Sequence, residues 1–241
     1  MKRFYSTLAA FVLAVAAFGA AAAPAAAQSR KASHAETSAR VSTPLNLAVL
    51  IQDDLVSRVG NELRETGEFI RTLPTGSRVM VGYIRSGSLQ VRQPFTEDLD
   101  AAARALRIPA GSTAVSPFNP YIQVRDAVKQ FPSDGNRNAV LLVSDGLDTS
   151  RGFDFSSSVD SIDLNRAVKE AKAHNVSVYS FYAPSVGLTS RNRTAISFGQ
   201  SALNRISDET GGRAFFQGTD FVTFDAYFER LTRTLNERRA Y

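Results

Sequence analysis

Leu45-Asn46-Leu47-Ala48-Val49-Leu50-Ile51, running into Gln52-Asp53-Asp54-Leu55-Val56-Ser57, is the stretch whose reading decides the fold. Its apolar residues do not alternate with polar ones as they would on a half-exposed strand. They predict a strand covered on both faces, at the centre of a parallel α/β sheet. Two carboxylates at the end of such a strand lie at the carboxyl edge of the sheet, where open α/β folds bind ligands. Ala139-Val140-Leu141-Leu142-Val143-Ser144, followed by Asp145-Gly146-Leu147-Asp148, repeats the pattern. Two carboxylate-tipped strands point to one site between them.

Working outward, residues 57–73 carry Val59, Leu63, Thr66, Phe69, Ile70 and Leu73 at helical spacing, with Ser57 as the expected cap and Pro74-Thr75-Gly76 as the stop. Residues 78–85 and 89–95 read as a hairpin around Ser86-Gly87-Ser88. Helices are expected over residues 96–106, 121–131, 164–174, 200–209 and 224–238, and further strands over 176–183 and 213–217. Gly211-Gly212 is a glycine stop, and Tyr227, Phe228, Leu231 and Leu235 give the closing helix one apolar face. Residues 109–120 and 184–198 read as irregular segments on the ligand edge. The alternation predicts a doubly wound, Rossmann-like α/β open sheet, mostly parallel, with one antiparallel edge strand and helices on both faces.

The chain of 241 residues opens with Met1-Lys2-Arg3, an alanine-rich apolar run over residues 8–23 and Ala25-Ala26-Ala27. That is the pattern of a secretory signal peptide over residues 1–27. An uncleaved membrane anchor is the alternative, but the apolar core is short for a span. Export to the periplasm or the extracellular space is expected, without stable membrane insertion after cleavage. Residues 28–43 have a disordered-linker composition, and a single domain is expected over 44–241. Cleavage removes two cations and lowers the formal charge from +5 to +3. The arginines are interleaved with acids along the chain, which gives no nucleic-acid footprint in the sequence. With no cysteine, the core alone must hold the exported domain together.

Asp53, Asp54, Asp145 and Asp148 have no Lys or His beside them in sequence, and oxygen ligands on loops are what Mg²⁺ or Ca²⁺ requires. Asp54 and Asp148 also suit helix caps and Asx turns, whereas Asp53 and Asp145 end strands. The segments LNLAVLIQD, VMVGYIRSGSLQVRQPFT, Gly111-Ser112-Thr113, LLVSDG and ALNRISDETGGRAFF, in that order, resemble the von Willebrand factor type A domains, in particular secreted bacterial ones. The resemblance covers residues 44–241. It implies a metal-ion-dependent adhesion site built from an Asp-x-Ser-x-Ser motif, a loop Thr and a second Asp. Here Asp53, Ser57, Thr113 and Asp145 match, and Leu55 stands at the first Ser position. It further implies Mg²⁺ or another divalent cation, and a protein partner that offers an acidic residue to it. The other reading of the same residues is a site held by hydrogen bonds alone. Phe118, Tyr121, Phe153 and Phe155 are candidates for an apolar rim.

No phosphate-binding glycine loop follows any strand, and His34 and His174 are too few and too far apart for a zinc cluster or a His-based triad. Receiver-domain chemistry lacks its late-strand Lys. A metal-dependent phosphohydrolase would suit paired carboxylates but has no identifiable nucleophile or general acid. The glycosylation patterns at Asn175 and Asn192 are of a kind that chance produces. The expectation is a secreted, non-enzymatic protein-binding module, or failing a metal, a metal-free interaction domain.

Overall fold

The computed structural model describes residues 40–115, 118–152, 161–216 and 223–237. The described residues all belong to one compact unit, Ser38–Tyr241. The expected signal peptide, most of the expected linker, and Phe153 and Phe155 lie outside the described residues. Val41 already packs into the core and Ser42 is hydrogen-bonded to Asn236, so packing begins a little ahead of Pro44.

Six strands form one sheet: β1 (Leu45–Gln52), β2 (Arg78–Arg85), β3 (Ser88–Thr96), β4 (Arg137–Ser144), β5 (Val176–Tyr182) and β6 (Arg213–Phe215), in the order β3-β2-β1-β4-β5-β6. β1 is buried along its whole length between two parallel neighbours, with Val49 opposite both Val81 and Leu141. Among the described strands only β3 is antiparallel, and as an edge strand it alternates exposed and covered residues. Ser86 and Gly87 both have positive φ, 47° and 71°, the two-residue turn whose twist matches that of the strands it joins.

Helices α1 (Val59–Arg71), α2 (Leu99–Arg104) and α6 (Asp225–Glu237) cover one face, where Leu45, Leu47, Val49 and Ile51 join Phe69, Ile70, Ala102, Phe228 and Leu231. Helices α3 (Pro120–Val128), α4 (Ile162–Ala173) and α5 (Arg193–Glu209) cover the other, where Ala48 and Leu50 meet Val124, Leu164 and Leu203. Among the described residues no helix is long and apolar enough to cross a membrane.

Of the boundaries that differ from the sequence expectation, two bear on the site. Ser57 does not cap α1, because the chain turns at residues 56–60 through backbone bonds and Arg58 is already helical. Helix α5 begins seven residues early, inside the segment read as irregular, with the Asn192 side chain accepting from the Ala195 N–H. Gly199 is a contact residue, since a Cβ there would overlap the Asp145 carbonyl oxygen. The helix therefore lies against the end of β4, and this close approach brings the start of α5 to the ligand edge.

Candidate functional site at the carboxyl edge

Past Gln52 the chain leaves β1 through Asp53, whose side chain is fully buried. Its Oδ1 and Oδ2 accept from Arg107 Nη1 at 2.6 Å and Nη2 at 2.8 Å, and Oδ1 also accepts from the Ala110 N–H at 2.9 Å. Arg85 Nη1 stands 3.6 Å from Oδ2. Arg107 lies over the Tyr83 ring, 4.1 Å from its centroid, and its backbone N–H and C=O both bond the Tyr83 hydroxyl at 2.6 Å. A carboxylate out of water is tolerated only with a matched, hydrogen-bonded counter-charge, and the fork of a guanidinium is the best such partner. The Asp53 pair raises the Arg107 pKa further, so that charge is permanent.

Asp54 turns the other way. Gln52 Nε2 donates to its Oδ1 at 2.7 Å, while Gln52 Oε1 accepts from Ser144 Oγ at 2.5 Å and from the Asp145 N–H at 3.2 Å. Asp145 accepts from the Leu147 N–H at 3.1 Å and from Thr189 Oγ1 at 3.0 Å. The loop after β5 is tied in by the Asp54 carbonyl accepting from Val186 N–H and by a bridge between Leu55 and Ser185. The side-chain amide of Gln52 thus spans two buried acids that pair with no Lys, Arg or His among the described residues. Burial, then the Asp145 carboxylate, push the Asp54 carboxyl up to about 7, and burial also raises Asp145 against the hydrogen bonds it accepts.

A pH dependence follows from the sign. The native Asp54 holds a proton that the unfolded chain, near 3.8, has already lost, so its contribution to stability falls as pH rises from about 4 to about 7. The slope from this one group approaches about 1.4 kcal/mol per pH unit. Asp54→Asn keeps the acceptor for Gln52 and removes the titration. Melting curves across that range are expected to be flatter for the variant, which becomes the more stable protein at pH 8.

The four residues expected to share an ion are placed as follows. Asp53 and Asp145 stand at the ends of the neighbouring strands β1 and β4, each with its oxygens engaged as described. Ser57 and Thr113 are exposed, and neither hydroxyl bonds to those carboxylates among the described residues. Leu55, at the first hydroxyl position, is fully buried in the core. Thr189, not Thr113, is the threonine bonded to Asp145. Asp148 joins Asn119 and Ser150 instead, and Asn119 also reaches Asp163. Phe118 and Tyr121 are core residues and form no rim. Among the described residues no three acidic, His or Cys side chains are grouped to hold a metal. An octahedral ion needs vacant oxygen donors in one shell. The donor set here, filled by a guanidinium on one acid and by protein hydrogen bonds on the other, does not fit Mg²⁺.

Neither a family model nor a curated protein matches the chain by sequence. Solved structures do. A serine-substituted aerotolerance-related membrane protein from Bacteroides fragilis superposes with a TM-score of 0.57 at 12% identity, over 80% of this chain and 99% of that one. BatB from Bacteroides thetaiotaomicron gives 0.52 at 11%, over 80% and 98%. A von Willebrand factor type A protein from Catenulispora acidiphila gives 0.53 at 17%, over 80% of this chain and 43% of that one. At such identities the likeness is one of architecture, and the architecture of this chain is that of the von Willebrand factor type A domain.

Proposed function

We propose that the chain is an exported, non-enzymatic protein-interaction module that binds its partner at the carboxyl edge of the sheet without a metal ion. One observation carries the reading. Among the described residues the exposed large apolar side chains are Ile108, Ile162 and Leu188, at 62%, 58% and 39% exposure. All three stand in carboxyl-edge segments: Ile108 beside Arg107, Ile162 at the start of α4, and Leu188 in the turn between β5 and α5. Apolar side chains left in water on loops of one sheet edge support a contact surface there. The fold supports the same reading by analogy, and the leader over residues 1–27 supports export.

The phosphohydrolase alternative loses support at the same place. Asp53 is locked to Arg107, which removes one carboxylate from the pair such chemistry needs. The test is affinity capture from the exported protein fraction, in chelator, with wild type and with an Ile108→Asp/Ile162→Asp/Leu188→Asp variant of unchanged melting temperature. Proteins held by wild type and lost by the variant are the expected result. Equal retention by both, or retention that needs a divalent cation, would refute the reading.

A further inference from the structure

A cavity of about 510 Å³ lies at the amino edge of the sheet, at the other end of β1 and β4 from Asp53 and Asp145. The first residues of β1 and β4, the turn into β5, the segment between α3 and β4 and the last turn of α6 border it. Its volume is that of a site for a small molecule. The core residues Leu45, Tyr179 and Leu235 and the half-buried Phe131 give it apolar walls. Arg137, the first residue of β4 and the register partner of Leu45, is the one Lys or Arg among the lining residues, and none of them is Asp or Glu.

The Arg137 guanidinium is engaged on one side. Its Nη1 donates to the Leu235 carbonyl at 2.8 Å, one of the last carbonyls of α6, which the helix leaves without an internal partner. Nε and Nη2 are both buried, and among the described residues neither has a hydrogen-bond partner. These two nitrogens carry the parallel N–H bonds of one edge of the guanidinium plane, the edge that grips a carboxylate through both of its oxygens. An exposed arginine such as Arg92 or Arg213 is hydrated and needs no partner. A buried, unpaired fork is costly, since its N–H groups have given up water and received nothing in return. Asp134, the acid nearest in sequence, is turned away to Arg78 and Asn46. The bond to Leu235 holds the guanidinium plane, so the unpaired edge is set in advance of a ligand.

We infer that this cavity binds a small organic carboxylate with an apolar body, the carboxylate pairing with Nε and Nη2 of Arg137 and the body lying against Leu45, Phe131 and Tyr179. The site is separate from the carboxyl edge and independent of the function read there. A single planar fork matches the two oxygens and single charge of a carboxylate. A phosphate dianion suits the cavity less, because no second Lys or Arg lines it.

The probes are acetate, hexanoate and phenylpropionate, the amides of the last two, and inorganic phosphate, each titrated calorimetrically into the full-length protein in chelator. Hexanoate and phenylpropionate are expected to bind more tightly than acetate, and their amides not to bind. Arg137→Met, which removes the charge, and Arg137→Lys, which keeps the charge but loses the fork, are each expected to weaken the acids at least about tenfold. Equal binding of an acid and its amide overturns the inference. So does an affinity unchanged in Arg137→Lys and Arg137→Met, or the absence of binding by all three acids. Phosphate binding more tightly than the acids would assign the cavity to phosphate and overturn it too. Where a variant does not fold, the comparison of acid with amide on the wild-type protein decides.

Discussion

Arg107→Ala is expected to lower folding stability by about 3 to 5 kcal/mol, because it leaves Asp53 as an uncompensated charge in a fully buried position. Arg85, 3.6 Å from Asp53 Oδ2, can swing in and recover part of the loss, which favours the lower figure. Arg107→Lys restores the charge but not the two parallel bonds and is expected to recover only part of the stability. Asp53→Asn combined with Arg107→Met removes both charges and is expected to be milder than Arg107→Ala alone, since the cost lies in the orphaned partner. Urea unfolding of the four proteins measures this order. A loss in the double variant as large as that in Arg107→Ala would show that the orphaned charge is not its source.

Leu55→Ser is expected to cost about 3 to 5 kcal/mol. From the sequence alone the same change looks like a repair, since it restores the missing hydroxyl of the adhesion motif and should strengthen a metal response. The structure reverses the sign. Leu55 is fully buried and packs in the cluster that holds Val59 and Ile51, so Ser leaves a cavity and buries a hydroxyl. The variant is expected to melt well below wild type and to gain no response to Mg²⁺. A Leu55→Ser protein of native stability that melts higher in Mg²⁺ would contradict this placement.

The fold was legible wherever local pattern and tertiary demand agree. The uninterrupted apolar run of β1, the Ser86-Gly87 turn and the Gly211-Gly212 stop each state their structure within a few residues. The start of helix α5 was not legible because nothing local shows that Gly199 lies against Asp145 or that Asn192 is a cap. The candidate site was half legible. Strand ends located Asp53 and Asp145, but the partner of Asp53 lies 54 residues away in a segment with no local signature. Nothing near Leu106-Arg107-Ile108 announces an ion pair. Gln52, at the end of an apolar strand, was the one local hint of a buried polar network, since an amide there must find partners.

The account stands or falls on whether this edge is complete without an ion. Wild-type protein stripped with chelator and then titrated with Mg²⁺ or Mn²⁺ gives the most direct answer by thermal melting, since a cation bound only by the native state at a hundredfold excess over its Kd would add about 2.7 kcal/mol. The expected result is superposable melting curves for wild type with and without the cation, together with the lowered curve of Arg107→Ala. A rise in wild-type melting temperature that Asp53→Asn abolishes would contradict it.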